Sequence, residues 1–513
     1  MSDDKPGDAP ASAGRGGLAI AGAKAYFILI GFVQQTLLGR LLGADGYGAY
    51  SSVMAIANVA DNVVISSSIQ GTSRTVAEAS SGELDGAQRR TLSIHAALAL
   101  PIAGLFAVFA PMVARASGAP HVAAHARVAA LIVFGYCLYT PLVGALNGRR
   151  RFLAQAALDV GYATLRTVTM LGGAYLFASS GAAPLGAVSG FALAALSIVP
   201  IAAAVAGLGR RGPGGPALSE YLRLLWPLAL AQLFLNMLMQ SDITLLRYFA
   251  SERAAADGLL GVEAALAADR TVGVYRACQL FAFLPYQLLL SVTFILFPLL
   301  ARAHADGDAE AVKTYVRTGL RLSLVIGGAM VAVIAGLGPL LLSLAFKPEI
   351  AEPGGRCLRV LALGQGAFAL YGVFATVLSS LHRERWSMAL NAVATGLVVA
   401  ASWAIVPGAG QGAALAERAA WATSAALLVA AASGAVAVWR VAGALVSPWT
   451  LARVLLAGGL AGAIPAALGW QGKIVALALA AIVGAAYLAA LVVTRELGRA
   501  DLELVLRVAR RRR

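Results

Sequence analysis

Six charged side chains stand four or more residues inside otherwise apolar segments: Lys24, Asp61, Asp159, Arg166, Asp242 and Arg276. A charge at the centre of a bilayer costs about 2.5–3.5 kcal/mol on insertion scales, so each needs a partner or an aqueous cavity. Amides accompany them. Gln232, Asn236 and Gln240 stand at i, i+4 and i+8, one helical face, suited to sugar hydroxyls or to hydrogen bonds between helices. Asn58, Asp61, Asn62, Ser68 and Thr72 form a second polar stripe, which is hard to place against lipid. Lys24 is followed on nearly the same face by Gly31 and Gln35, so it either lines a wet cavity or snorkels to the headgroups. The guanidinium of Arg276 suits bidentate contact with a phosphate, or an ion pair with Asp242 across a helix hairpin. Asp159 and Arg166, seven residues apart on one face, serve neighbouring helices or a ligand equally well. Arg74, at the end of its segment, caps a helix or meets phosphate.

No catalytic constellation accompanies these groups. The sequence has no Walker loop, no His-Glu-x-x-His and no aspartate-rich motif in an outer loop. Cys137, Cys278 and Cys357 lie in or beside apolar runs without metal-ligand spacing. The expectation is a protein that is not an enzyme, with neither cofactor nor metal, driven by an ion gradient, the membrane potential or downhill supply.

The elements that must position these residues follow from composition. Of 513 residues 59% are hydrophobic and 13% charged, against about 25% charged in a soluble protein, which excludes an ordinary soluble enzyme and a disordered chain. Mean hydropathy is +0.77. Fourteen apolar segments recur: 17–39, 47–69, 92–114, 126–147, 153–178, 184–207, 222–246, 271–299, 318–346, 358–380, 387–407, 415–438, 450–469 and 474–494. Each approaches or exceeds the roughly 20 residues a helix needs to cross about 30 Å of hydrocarbon. Alternating ten-residue patterns are absent, which argues against an outer-membrane barrel. The fold class is an all-α polytopic membrane protein of about 14 transmembrane helices.

Charge gives the topology. Arg89 and Arg90, Arg149 to Arg151, Arg210 and Arg211, and Arg510 to Arg513 all fall on the side of the termini. The positive-inside bias therefore puts both termini in the cytoplasm. The formal net charge of +15 is largely this signal and does not point to nucleic acid. No connection is large enough to fold as a catalytic domain; the longest outer one is expected at 247–270.

Two echoes indicate an internal repeat. Gly48-Ala49-Tyr50 opens the second segment and Gly273-Val274-Tyr275 the eighth, while Arg151-Phe152 and Arg385-Trp386 follow the fourth and tenth. Six helices per half makes the repeat parallel, with a pseudo-two-fold axis along the membrane normal. The expected organisation is a disordered cytoplasmic tail (1–16), a six-helix bundle (17–207), a second (222–440), an extra helix pair (449–494) and a basic cytoplasmic tail (495–513).

Leu41-Leu42-Gly43-Ala44-Asp45-Gly46-Tyr47-Gly48-Ala49-Tyr50 resembles the polysaccharide-biosynthesis (Wzx-like) oligosaccharide flippases of the multidrug/oligosaccharidyl-lipid/polysaccharide exporter superfamily. Leu146-Asn147-Gly148-Arg149-Arg150-Arg151-Phe152, Asp242, and Val272-Gly273-Val274-Tyr275-Arg276-Ala277 with Pro298 strengthen the resemblance, which spans about residues 17–440. It implies two six-helix bundles around a central cavity that opens alternately to each side. It also implies a polyprenyl-diphosphate-linked oligosaccharide as cargo, with Lys24, Arg74 and Arg276 engaging the diphosphate. Gln35, Asn58, Asp61, Gln232, Asn236, Gln240 and Asp242 are then the candidates for sugar contact or ion coupling. The implied setting is the bacterial cytoplasmic (inner) membrane, with membrane lipids and the polymerase and glycosyltransferases of the same pathway as partners. An ion-coupled multidrug antiporter of the same superfamily, using Asp61 and Asp242, is the alternative. A membrane polymerase or ligase of the same pathway is a second alternative.

Overall fold

The computed structural model describes residues 9–469 and 472–498. Residues 1–8 and 499–513, most of the two expected tails, lie outside the described residues. From Ala9 the chain is already helical, so the first helix begins earlier than the sequence predicts.

Among the described residues there is no strand. The elements are α1 (Ala9–Glu78), α2 (Leu84–Ala116), α3 (Ala123–Gly148), α4 (Phe152–Leu176), α5 (Ala183–Ala206), α6 (Leu218–Ala256), α7 (Gly261–Ala282), α8 (Leu284–Ala305), α9 (Ala309–Ala345), α10 (Pro348–Ser380), α11 (Glu384–Ile405), α12 (Ala413–Ala442), α13 (Pro448–Leu468) and α14 (Lys473–Val493). Twelve helical stretches among the described residues are long and apolar enough to cross a membrane, so the chain is a multi-pass membrane protein.

Each of the fourteen expected segments falls on helix, but the helices run up to about ten residues beyond several of them, and the division differs twice. Two of them share α1, whose stretch from Gly22 to Glu78 has 57 residues. At 1.5 Å per residue that is about 85 Å, far more than one crossing. The break falls at Gly43, at φ 70° and ψ −178°, a backbone region that only glycine enters without strain. Conversely, the eighth segment is divided between α7 and α8 at Phe283, with Pro285 in the first turn of α8. Helix α4 has span length but is not among the twelve apolar stretches, since Asp159, Arg166 and its threonines lower its apolarity.

The chain forms two compact units, Met1–Gly273 and Val274–Arg513. In the first, α1 packs on α3, α4 and α6, α2 on α3, and α4 on α5. Helix α6, expected to open the second bundle, packs in the first: Leu225 and Tyr221 lie against Gly71, and the Tyr221 hydroxyl is 2.9 Å from Thr72 Oγ1. In the second unit Leu289, Leu296, Leu320, Val377 and Val438 join α8, α9, α10 and α12 in one core. The appended pair α13–α14 packs on α9, where Val454, Ala461, Val483 and Tyr487 meet Leu324, Val325 and Leu337. Beyond α14, Glu496 is 3% exposed and accepts from Arg321 at 2.9 Å and Arg453 at 3.2 Å. Residues 495–498 thus belong to the fold, not to a tail.

Two local expectations are corrected. The connection expected at 247–270 shrinks to 257–260, because α6 and α7 continue as helices past the apolar limit. The charges that mark that limit satisfy one another: buried Arg247 lies 2.9 Å from Asp269, whose other oxygen is 2.8 Å from His121 Nε2. Gly273 is not in a turn opening a helix. It lies inside α7, where a Cβ on it would strike the Ala44 carbonyl; a Cβ on Gly48 would strike that of Asp269. The two glycines of the repeat echo therefore face each other at a helix crossing, where only hydrogen lets the backbones approach.

Candidate functional site

The first unit holds a polar cluster built by α1, α3 and α4. Along α4, Asp159, Tyr162 and Arg166 lie at i, i+3 and i+7, so one face carries all three toward α1 and α3. Lys24 reaches Asp159 at 3.4 Å, with its own side chain 51% exposed and that of Asp159 13%. Arg166 lies over the Phe27 ring at 4.9 Å and the Phe191 ring at 5.5 Å, which is cation–π geometry. Its Nε donates to Gln34 Oε1 at 3.2 Å, and Thr167 donates to the same oxygen at 3.0 Å. Tyr162 donates to the Tyr136 hydroxyl at 2.9 Å. The cluster thus joins two cations, a carboxylate, an amide and two phenols inside one apolar unit.

Asp61 is buried in the same unit, and neither carboxylate oxygen has a hydrogen-bond partner among the described residues. It lies close enough to act electrostatically on Tyr136 and Cys137. A buried carboxylate without a donor is costly to ionise, so the site is suited to a proton or a cation rather than to a sugar hydroxyl.

The remaining sequence candidates occupy varied settings. Gln35 is half-buried and accepts from the Tyr47 hydroxyl at 3.1 Å. Asn58 is half-buried on α1. On α6, Gln232 is half-buried, while Asn236 and Gln240 are buried. Asn236 donates to the Gln232 carbonyl at 2.8 Å, and Gln240 Oε1 has no partner among the described residues. Asp242 is buried and accepts from the backbone of Ile243 at 2.8 Å. Arg74 is exposed and pairs with Glu78 at 2.8 Å. In the second unit, half-buried Arg276 donates to Gln279 at 2.9 Å. So the structure joins Lys24 to Asp159, gives Arg74 and Arg276 partners one turn away on their own helices, and leaves Asp61 unpartnered. Among the described residues no group of three or more His, Cys, Asp or Glu is arranged to hold a metal.

A second feature of the first unit was not expected. A cavity of about 1020 Å³ lies between the part of α1 after Gly43, α2, α3 and α6. Its α2 wall is His95, Leu98, Ile102, Phe106, Phe109 and Val113, a stripe at spacings of three and four. Helix α1 contributes Ile56, Ala60, Val64 and Ser67; α6 contributes Leu222, Arg223, Trp226 and Leu233. Of the residues singled out in the sequence, Ser68 and Cys137 line it; the candidates for cargo or ion contact do not. The apolar stripe on α2 is visible in the sequence, but a lipid-facing stripe has the same periodicity.

The profile of the polysaccharide biosynthesis protein family matches residues 13–304, more than half of the chain, and that of the MatE family matches residues 263–404. Among curated proteins none matches. The fold is similar to that of the lipid II flippase MurJ in an inward closed conformation, with TM-score 0.75 and 12% identity, over 93% of this chain and 99% of that one. It is also similar to an inward-facing multidrug resistance MATE transporter, with TM-score 0.60 and 15% identity, over 84% and 95%. A further likeness is to a superfamily transporter from Pyrococcus furiosus, with TM-score 0.52 and 17% identity, over 84% and 95%. With the membrane helices, the two units and these matches together, the chain belongs to the polysaccharide biosynthesis protein family, within the multidrug/oligosaccharidyl-lipid/polysaccharide exporter superfamily of transporters.

Proposed function

We propose that this protein moves a polyprenyl-diphosphate-linked oligosaccharide across the bacterial cytoplasmic membrane by alternating access, with both termini cytoplasmic. The observation that carries the reading is the half-exposed Lys24 ammonium, held inside an apolar unit by one carboxylate at 3.4 Å. The family match and the likeness to a lipid flippase support it.

The physical task is to take a doubly charged diphosphate through about 30 Å of hydrocarbon while its tail stays in lipid. A half-exposed ion pair contributes about 1 kcal/mol or less, so a diphosphate can displace Asp159 from Lys24 at small cost. Arg276 and Arg74 are the further diphosphate ligands in this reading. Each holds its charge on a neighbour one turn away, an arrangement a phosphate can also displace. Gln35, Asn58, Gln232, Asn236 and Gln240 meet the sugar, while Asp61 and Asp242 couple transport to an ion. The pathway's glycosyltransferases and polymerase supply and consume the cargo.

The test is translocation of a fluorescent polyprenyl-diphosphate sugar in proteoliposomes. Transport above empty vesicles that is lost in Lys24→Ala and Arg276→Ala supports the reading. A second reading, an ion-coupled small-molecule antiporter, is favoured by unpartnered Asp61 and by the MatE match. Drug efflux that depends on Asp61, with no lipid translocation, would establish that one instead.

A further inference from the structure

We infer that the cavity between α1, α2, α3 and α6 is a groove for the polyisoprenoid chain of the carrier lipid, with Arg223 on its phosphate. The inference rests on the flippase reading and adds to it where the tail lies.

Depth is the first argument. From His95 to Val113 the α2 wall rises about 27 Å at 1.5 Å per residue, close to the full hydrocarbon thickness of about 30 Å. One acyl chain of an ordinary phospholipid covers only its own leaflet, about half of that. A continuous apolar groove of this depth fits a chain longer than a leaflet. The volume, about 1020 Å³, is at the upper limit of ligand pockets.

The second argument is the disposition of polar groups. His95 in the wall is already satisfied: its Nε2 lies 3.0 Å from the Tyr221 hydroxyl and its Nδ1 3.4 Å from Ser68 Oγ. That network makes no demand on a ligand, so the interior favours a hydrocarbon. Arg223 differs. It stands near the start of α6, at one end of the groove, is exposed, and has no ion pair among the described residues. An apolar slot ending in an available guanidinium complements an amphiphile with an anionic head.

Entry is the third. Phe109, Val113, Leu222 and Trp226 along the groove are exposed, so a chain can slide in from the side without being threaded.

The experiment uses the full-length protein in phosphatidylcholine nanodiscs, with binding of C55 polyprenyl phosphate, polyprenol and phosphatidic acid read by native mass spectrometry. The wild type is expected to bind polyprenyl phosphate at least tenfold more tightly than polyprenol or phosphatidic acid. Ala60→Phe with Ile102→Trp, which fill the groove, should weaken polyprenyl phosphate at least tenfold. Arg223→Gln, an exposed change that leaves the fold intact, should abolish the preference over polyprenol. Unchanged binding in the filled variant, an unchanged preference in Arg223→Gln, or equal binding of phosphatidic acid would overturn the groove. If the filled variant fails to fold, Arg223→Gln decides alone. Wild-type translocation of the lipid-linked sugar together with unchanged binding in the variants removes the groove and keeps the flippase. Groove binding without any translocation keeps the groove and removes the flippase.

Discussion

Lys24 and Asp159 allow a structural ion pair to be separated from a ligand site. At 3.4 Å and an effective dielectric of about 20, their attraction is roughly 5 kcal/mol before desolvation and side-chain entropy. Because Lys24 is half exposed, the net value falls to about 1 kcal/mol. Asp159→Asn should therefore lower stability by no more than about 1 kcal/mol. It also releases Lys24 from its competitor. If Lys24 receives the diphosphate, Asp159→Asn should bind the lipid-linked sugar up to about fivefold more tightly, since 1.4 kcal/mol is a factor of ten and the pair contributes about 1. Lys24→Ala should abolish translocation, and Lys24→Ala with Asp159→Asn should stay inactive. The assay is translocation in proteoliposomes with the apparent affinity measured alongside, and folding checked by thermal unfolding. The reasoning is refuted if Asp159→Asn is as inactive as Lys24→Ala while Lys24→Asp with Asp159→Lys restores transport. That pattern would make the pair a brace between α1 and α4 and nothing more.

Other outcomes follow from the same geometry. Asp61→Asn removes a buried carboxylate that has no donor, so the protein should melt no lower than the wild type while gradient-driven transport loses its coupling; a clear loss of stability would mean that the carboxylate is held by a partner. Gly48→Leu forces a side chain into the backbone of Asp269 and should cost at least about 3 kcal/mol or prevent folding, read by expression and thermal unfolding. Glu496→Ala leaves Arg321 and Arg453 without their shared carboxylate. The cost should be about 2 kcal/mol, below the 3–5 of a fully buried pair because both arginines are about a third exposed. Limited proteolysis should then cut between α12 and α13 or just after α14 sooner than in the wild type.

Much of the helical framework was legible because apolarity and helix length are both local. Where two elements meet, locality fails. The Gly48 and Gly273 triplets look like turns in sequence, since glycine serves turns and close packing alike, and only the crossing of α1 and α7 distinguishes them. Arg247 looks like a loop charge outside the bilayer, yet it is buried on Asp269 and holds α6 and α7 together as helices. Gln34 drew no attention beside Gln35. It is Gln34 that accepts from Arg166 and Thr167, and no spacing rule separates two adjacent amides on a helix.

By itself the sequence determined that the chain is a polytopic helical membrane protein, where its crossings lie, and that its intramembrane charges balance. Those properties follow from transfer free energies summed along the chain, which need no partner. The tertiary structure alone decided which charges are paired. Lys24 has Asp159 across two helices, Arg276 has Gln279 on its own helix, and Asp61 has no donor. It also decided that the apolar stripe of α2 borders a cavity. A helical face carries the same residues whether it meets lipid, another helix or a ligand, and only the position of the neighbouring helices tells these apart.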